Sequence, residues 1–519
     1  MSLRNDLLKL LRENISTDAP LTLAEPKNLD YGDYATNIAL RLAKTRQKAP
    51  PVIAQELCAA LNQKTADFVF TEIHGFINIK IRDACLRREL GRITPDYGRP
   101  AAGESPAGQK ILLEYVSANP TGPLHIGHGR WAVLGDIIAR VLSYCGQQVT
   151  KEFYINDAGR QINNFIASVH AVRHGQPPPE DGYHGTYITE LAGLDGDPVE
   201  LMLSRQKADL KNIRAEFDSW FSEKTLHQSG AVERALAALQ KQNAVYTRDG
   251  ALWFKSTDYG DDKDRVLVRS SGEKTYFTAD IAYHQDKLDR GFDRLINIWG
   301  ADHHGYIPRV QAALKALAGQ TAPLTVILGQ LVNLYRGGEP VKMSKRTGEL
   351  ITLQEVAAEI GVDAVRYFLA MRSADTALDF DLELAKKQSN DNPVYYVQYA
   401  HARICSILRQ AGAAQGEAAS RLRALTAASP ELHPAERVLI LKIIRLPEEL
   451  EAVSQSYHIH RLCSYAQELA ALFHNFYHEC RVISADTATT AARLQIIRAT
   501  QTVLKIILDL LAVTAPEQM

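Results

Sequence analysis

The sequence predicts an α/β protein of three units. These are a small N-terminal α/β module, a larger doubly wound domain around a parallel sheet, and an all-α C-terminal bundle. Apolar strand-like runs and helical spacing follow one another in the middle of the chain, which favours a parallel sheet. From Leu382 onward almost every window has helical spacing. With 519 residues, the chain is too long for one core and suits about three domains.

The N-terminal module is predicted over residues 1–95. Helical spacing at residues 3–14 and 35–62 precedes two strand-like runs, Phe68–Ile73 and Gly75–Ile81. Residues 95–109 are rich in proline and glycine and therefore mark a domain boundary. The central domain is placed at 96–378 and the bundle at 379–519.

The central domain is predicted to have a doubly wound, Rossmann-type sheet. Its strands are expected at Ile111–Val116, Gln148–Ile155, Arg294–Trp299 and in the run Leu324–Leu334. Residues 171–250 are interpreted as an insertion whose helices cover 199–242. After it, the sheet is expected to resume at 253–258 and 265–269.

The loop after the first of these strands carries two histidines. Prolines and glycines over residues 120–123 end the strand, and helical spacing resumes at Ile126, so His125 and His128 lie near a helix start. Backbone N–H groups and the positive dipole end face outward there and bind phosphate. Gly127 has no side chain and lets a phosphate or base approach closely. Alone, such a motif is more often a tight turn with two surface histidines.

A second stretch, residues 341–349, suits a polyphosphate. It follows a strand-like run and a Gly337-Gly338 turn and carries three cations and two hydroxyls. Lys342 and Lys345 can neutralise charge on a leaving pyrophosphate, and the neighbouring glycines allow the loop to close. A charged run is usually solvated surface, but its pairing with the two-histidine stretch favours a nucleotide site.

Together the two stretches resemble the paired signature sequences of class I aminoacyl-tRNA synthetases. His125-Ile-Gly-His128 matches the first signature and Lys342-Met-Ser-Lys345 the second, which many arginyl enzymes lack. The chain is similar to arginyl-tRNA synthetases in particular at Glu114–His128, Tyr154–Gln161, Asp363–Arg366, Asn392–Arg403, Gly32–Asn37 and Ala515–Met519.

The resemblance implies an ATP-dependent activity with Mg²⁺ entering as part of the ATP complex. Such enzymes make arginyl-adenylate, expel pyrophosphate and transfer arginine to the 2′-hydroxyl of the terminal adenosine of tRNA. They generally form the adenylate only with cognate tRNA bound, so tRNA-dependent activation is expected here. The insertion is too short and too helical for a hydrolytic editing domain.

The resemblance also assigns residues. It implies catalysis by His125, His128, Lys342 and Lys345, and ATP binding by His125, Gly127, His128, Met343, Ser344 and Lys345. For arginine it implies Glu114, Ser117, Asn119, His128, Tyr276 and Asp280. A guanidinium is always charged and carries five donors, so its pocket needs carboxylates in fixed positions. Glu114 and Asp280 are expected at two strand ends beside the nucleotide site.

Contacts with tRNA are implied at both ends of the chain. Asn37 belongs to the module that would bind the tRNA elbow, and Tyr396 and Arg403 to the helices that would bind the anticodon. Aromatic and cationic side chains on one helix can stack and pair with unstacked bases. Tyr395 and Tyr399, four residues apart, are interpreted as core.

Composition limits the remaining choices. No stretch approaches the roughly 20 apolar residues that span a bilayer, and the N-terminus lacks a signal-peptide pattern. Six scattered cysteines fit a reducing cytoplasm and offer neither a zinc nor a redox motif. The net charge of −1 does not indicate a nucleic-acid binder, so tRNA binding rests on the resemblance. A monomer without structural metal is expected.

Three rival functions stay open. The first rival is a class I synthetase for glutamate, glutamine or cysteine. An acidic substrate would need arginines in place of Glu114 and Asp280, and a cysteine enzyme would usually have zinc ligands. A small-molecule nucleotidyltransferase would not need the two outer domains, and a non-catalytic relative would not need both signatures. Residues 302–304, Asp-His-His, could suggest a metal, but only three possible ligands cluster and no cysteine joins them. The resemblance implies instead that this strand end lines the active site and contacts arginine or adenosine.

Overall fold

The computed structural model describes residues 2–26, 28–100, 108–319, 323–341, 351–414 and 431–519. It has an N-terminal α/β module, a central domain around a parallel sheet and a C-terminal helical bundle, so the predicted fold class is confirmed. Part of the proline- and glycine-rich linker, residues 101–107, lies outside the described residues.

The N-terminal module packs helices on a three-stranded antiparallel sheet of order β1-β3-β2. Its elements are α1 (Leu3–Asn14), β1 (Tyr34–Thr36), α2 (Ile38–Arg46), α3 (Pro50–Asn62), β2 (Phe68–Ile73), β3 (Phe76–Ile81) and α4 (Asp83–Leu90). The expected helical stretch 35–62 is therefore wrong at its start, where β1 pairs with β3. Three residues are too few for a periodicity to show, and strand pairing decides.

The central sheet is parallel throughout, in the order β11-β10-β4-β5-β6. Its strands are β4 (Lys110–Glu114), β5 (Gln148–Ile155), β6 (Ser219–Ser222), β10 (Arg294–Gly300) and β11 (Leu324–Gly329). Packed around them are α5 (Ile126–Tyr144), α6 (Arg160–Arg173), α7 (Thr186–Ala192), α8 (Pro198–Asn212), α9 (Glu223–Gln228), α10 (Ala231–Lys241), α11 (Tyr276–Asp289) and α12 (Ile307–Ala318).

One edge strand contradicts the expected run of helices over 199–242. β6 lies inside that stretch and pairs with β5. Its Trp220 stacks on Phe153 at 4.5 Å between ring centroids. A four-residue strand carries too little pattern to be recognised, so only its partner strand reveals it.

Two small sheets complete this part of the chain. β7 (Val245–Arg248), β8 (Ala251–Phe254) and β9 (Arg265–Val268) form a separate antiparallel sheet, so the expectation that residues 253–269 resume the central sheet is wrong. The predicted run 324–334 is likewise two strands in different sheets. β12 (Val332–Arg336) pairs with β13 (Glu339–Pro340) and β14 (Leu378–Asp381), and α13 (Leu353–Ile360), α14 (Val362–Ala370) and α15 (Leu382–Lys386) surround it.

The C-terminal unit is helical in every described element. Its helices are α16 (Pro393–Ala414), α17 (Pro434–Ile444), α18 (Leu446–Ser456), α19 (His460–Glu479) and α20 (Thr487–Leu511). Pro434 and Pro447 stand in the first turns of α17 and α18, where a missing N–H costs nothing.

Arg366 joins the helical unit to the central domain. Its side chain is 0% exposed and donates to the Leu511 carbonyl at 2.8 Å, the Ile213 carbonyl at 2.7 Å and the Asp136 carboxylate at 2.7 Å. These partners lie at the end of α20, after α8 and on α5. One buried guanidinium therefore fixes the positions of three segments.

A second polar junction holds the N-terminal module on α17. Arg437 pairs with Asp33 at 2.6 Å and with Asp83 at 2.7 Å, and Arg445 donates to the Asp33 carbonyl at 2.7 Å. Gly32 precedes Asp33 with φ +96°, and a Cβ there would lie 2.7 Å from the Ile79 carbonyl oxygen. The Gly32–Asn37 segment thus serves contacts within the chain as well as any contact with tRNA.

Candidate active site

A cavity of about 1770 Å³ opens at the carboxyl ends of the central strands. It brings together predicted site residues that are distant in sequence, namely Glu114, Ser117, Asn119, His125, His128 and Asp280. Helices α7 and α8, inside the predicted insertion, contribute Tyr187 and Arg205 to one wall. The Tyr187 hydroxyl donates to the Thr121 carbonyl at 3.1 Å, which fixes the loop after β4. Part of the predicted insertion therefore lines the cavity.

The backbone after β4 turns sharply. The strand ends at Glu114, two residues before its predicted end, and Val116 and Ser117 have φ of +68° and +43°. Positive φ is costly for a β-branched residue and is often found at functional sites. The turn lets the Ser117 hydroxyl donate to Glu114 Oε1 at 3.0 Å and accept from the Tyr154 N–H at 3.2 Å. The hydrogen bond from Ser117 thereby orients the Glu114 carboxylate at the cavity wall.

The two histidines cap helix α5 reciprocally. His125 Nδ1 accepts from the N–H groups of Gly127 at 3.1 Å and His128 at 3.4 Å, and His128 Nδ1 accepts from the His125 N–H at 3.3 Å. The rings stack with centroids 3.7 Å apart. The expectation that these backbone N–H groups face outward for phosphate is wrong, because they already donate to the histidine rings. When neutral, each ring carries its hydrogen on Nε2, which is a donor suited to a phosphate oxygen.

The segment that follows the second signature lies against these histidines. The Leu353 N–H donates to the Leu124 carbonyl at 2.8 Å, and Thr352 forms a β-bridge with His125. Ile351 and Thr352 both line the cavity. A Cβ at Gly129 would lie 2.5 Å from Leu353 Cδ1, so close packing of α5 on α13 requires this glycine. Lys342, Met343, Ser344 and Lys345 themselves lie outside the described residues.

Asp280 belongs to the second turn of α11, so its expected place at a strand end is wrong. It accepts a hydrogen bond from the Tyr306 hydroxyl. Burial raises the pKa of Asp280 to about 7, and the nearby Glu114 adds to the effect. At this pKa the carboxyl group is about half ionised near neutral pH, and a nearby cation would favour its ionised form.

A buried lysine connects the two carboxylates. Lys287, 0% exposed on α11, donates to Glu114 Oε2 at 2.6 Å and to Asn297 Oδ1 at 3.1 Å. Asn297 Nδ2 donates to His284 Nε2 at 3.2 Å, and His284 Nδ1 donates to the Asp280 carbonyl at 2.8 Å. Burial lowers the pKa of His284 to about 3, so this imidazole is neutral.

Two predicted arginine ligands stand apart from this network. Asn119 donates to Gln161 Oε1 at 2.6 Å on the cavity wall. Tyr276, the first residue of α11, is 78% exposed and does not line the cavity that the described residues form.

Asp302 and His303 do line the cavity, with His303 Nε2 3.6 Å from the Asp302 carboxylate. In the described part of the chain, no group of three or more His, Cys, Asp or Glu is arranged for a metal ion.

A second concave site lies on the helical unit. It is lined by Asn390, Tyr396, Tyr399, Arg403, His474, Tyr477 and His478. The Arg403 guanidinium lies 4.4 Å from the centre of the Tyr477 ring. Tyr395 and Tyr399 are half-buried and stacked at 6.2 Å, so the interpretation of both as core is wrong. Aromatic rings and a cation around one concave surface are suited to unstacked bases.

In the N-terminal module, Asn37 caps α2 without a side-chain hydrogen bond to the helix. Its Oδ1 is buried and has no hydrogen-bond partner among the described residues.

Three family models together match most of the chain. The class I tRNA synthetase (R) catalytic domain matches residues 98–178 and 201–386, the arginyl tRNA synthetase N-terminal domain matches 2–81, and the DALR anticodon binding domain matches 397–519. The arginine–tRNA ligase of Shouchella clausii is 46% identical over 98% of this chain and 97% of its own length. That of Bacillus subtilis is 44% identical over 96% of this chain and 94% of its own length.

The chain belongs to the arginyl-tRNA synthetase family. It is an arginine–tRNA ligase that charges its tRNA for protein synthesis, and as a class I synthetase it uses ATP. The predicted family and activity are confirmed, and the three rival functions are excluded. The Thermus thermophilus arginyl-tRNA synthetase has the same fold, with a TM-score of 0.81 at 24% identity over the full length of both chains.

Several residues beside the cavity and the second concave site were not predicted from the sequence. Lys287 follows Asp280 by seven residues and His284 by three, so helical spacing alone places all three on one face of α11. That signal was present in the sequence. His474 and Tyr477 join Tyr399 only through the packing of α19 on α16, which no local pattern shows.

No described helix has the length and apolar character needed to cross a membrane. All six cysteines are free thiols.

Proposed function

We propose that the cavity at the carboxyl ends of the central strands is where arginine and ATP react. Arginine's carboxylate attacks the α-phosphate of ATP, pyrophosphate leaves, and arginine then passes from the adenylate to the 2′-hydroxyl of the terminal adenosine of tRNA. The proposal is carried by one observation, the meeting of Glu114, Asp280, His125 and His128 in a single cavity. Mg²⁺ would enter with ATP and be held largely by its phosphates.

The proposed arginine subsite lies between β4 and α11. Glu114 and Asp280 would pair with the guanidinium, and Ser117, Asn119 and His128 would hold its α-amino and carboxylate end. A subsite of buried carboxylates rejects uncharged analogues strongly, because those would leave its charges unpaired. Tyr276 would contribute only if its exposed side chain turns inward on binding.

The proposed ATP subsite lies at the start of α5. His125 and His128 would donate from Nε2 to phosphate oxygens, and Gly127 leaves room for the His125 ring, from which a Cβ would be only 3.0 Å away. Lys342, Met343, Ser344 and Lys345 would reach the same place, since the segment containing them is followed by Ile351 and Thr352 at the cavity. Cations there would stabilise charge that develops as pyrophosphate leaves.

The outer units are proposed to hold tRNA. Tyr396 and Arg403 would contact the anticodon, and Asn37 would contact the elbow from the N-terminal module. Domain limits at residues 95 and 378, with the insertion at 171–250, belong to the same proposal. We also propose a monomer that works in the cytoplasm, which size-exclusion chromatography with light scattering and fluorescent tagging would test.

Pyrophosphate exchange is the most direct test. ATP–pyrophosphate exchange would be measured with each amino acid, with and without tRNA for arginine. Exchange with arginine alone among the amino acids supports the proposed site. We expect exchange near background without tRNA, because tRNA binding would select the competent arrangement of the site. Substantial exchange in nuclease-treated enzyme would contradict the tRNA dependence, and no exchange under any condition would contradict the site.

A further inference from the structure

The strongest unexplained feature beside the cavity is the buried Lys287. A fully buried ammonium group is rare unless it is paired, and this one pairs with a residue of the proposed arginine subsite. Its Nζ also lies 4.2 Å from the centre of the Tyr283 ring. Lys287 is not among the residues that line the cavity, so it would not itself touch arginine.

The direction of each hydrogen bond around Lys287 follows from its chemistry. An ammonium group only donates, so Asn297 must present its oxygen to Lys287 and its NH₂ to His284. His284 accepts at Nε2 and therefore carries its hydrogen on Nδ1, which donates to the Asp280 carbonyl. Lys287 thus fixes Glu114 directly and the Asp280 turn of α11 through two intermediates.

Lys287 also influences the charge around Asp280. The titratable groups that face Asp280 are Glu114 from β4, Glu223 from α9, Lys287 from its own helix, and the phenols of Tyr154 and Tyr306. Lys287 offsets one of the three carboxylates. Without it, Asp280 would face two negative groups unopposed, and its ionised form would be less stable.

We infer that Lys287 is a positioning residue for arginine: it holds Glu114 in place and favours the ionised form of Asp280, the form that pairs with the guanidinium. The inference rests on the proposed arginine subsite. It assigns Lys287 a role in arginine affinity and in its pH dependence, and no role in the chemical step.

The test is the pH profile of the arginine KM in tRNA charging, at saturating ATP and tRNA. In the wild-type enzyme, KM should rise as pH falls through about 7, approaching tenfold per pH unit, because protonated Asp280 loses its charge. In Lys287→Gln, which keeps a donor but not the charge, the rise should begin about one pH unit higher. Lys287→Arg, which keeps the charge, should lie closer to the wild type, and kcat should change far less than KM.

A double variant guards against misfolding of the single one. Lys287→Gln with Glu114→Gln removes both charges of the ion pair, so the net charge that faces Asp280 is again that of the wild type. The rise in KM should therefore return toward the wild-type pH, although KM itself is higher. Folding of each variant is checked by its thermal midpoint. An unchanged pH profile in a folded Lys287→Gln enzyme overturns the inference, as does a double variant whose profile stays shifted. An unchanged arginine KM in a folded Asp280→Asn enzyme would instead overturn the proposed arginine subsite.

Discussion

Replacing Arg366 by methionine tests whether one buried guanidinium holds the helical unit on the catalytic domain. Methionine fills similar space but leaves the Leu511 and Ile213 carbonyls without this donor and takes one partner from Asp136. Breaking a buried ion pair by removing one partner costs about 3–5 kcal/mol. We expect Arg366→Met to lower the free energy of unfolding by that amount.

Arg140 supplies a matched control. It pairs with the same oxygen of Asp136 at the same distance, 2.7 Å, but its side chain is 39% exposed rather than 0%. An ion pair that water screens contributes about 0–1 kcal/mol, so Arg140→Met should cost no more than that. Both variants lose the same charge and the same acceptor oxygen, and they differ in burial and in the carbonyls that Arg366 also bonds.

Urea unfolding followed by far-UV circular dichroism measures both variants. The free energy of each is compared with the wild type, together with the slope of the transition, since separate unfolding of the helical unit would split or flatten it. Equal losses in the two variants, or a loss below about 1 kcal/mol for Arg366→Met, would refute the reasoning.

Three further outcomes are expected. Lys345→Ala should lower the rate of adenylate formation about 100-fold with little change in the arginine KM, because the lysine would act on charge that develops only in the transition state. An unchanged kcat with a raised arginine KM in pyrophosphate exchange would contradict this. Arg403→Ala should raise the KM for tRNA about tenfold through lost stacking, whereas Arg409→Ala on the same helix should not. Equal tRNA KM values for the two variants in a charging assay would argue against tRNA binding at the second concave site. Arg437→Met should speed proteolysis between the N-terminal module and the central domain at least tenfold, since the carboxylates of Asp33 and Asp83 lose their partner. Lys442→Met, also on α17, is the control, and similar digestion rates for the two variants would argue against the junction.

Long elements and the family motifs were readable from the sequence alone. Gln148–Ile155 is a strand and Ile126 begins a helix as predicted, because each repeats its apolar spacing over enough residues to be unambiguous. Motif residues placed Glu114, His125, His128 and Asp280 at one site, and the structure brings all four to one cavity. The same local patterns failed for β1 and β6, which are too short to show a period.

Contacts between distant segments were decided only by the tertiary structure. The sequence could not show that Asp33 pairs with Arg437 or that Tyr399 faces a concave surface instead of the core. Such pairings depend on which segments pack together. A partner that is distant in sequence does not affect the local apolar spacing around a residue. The sequence therefore determined the family and the fold class, and it predicted which residues react. Burial, which only the packed chain creates, set the charge state of Asp280. The packing of α11 on β4 gave Lys287 its partner Glu114.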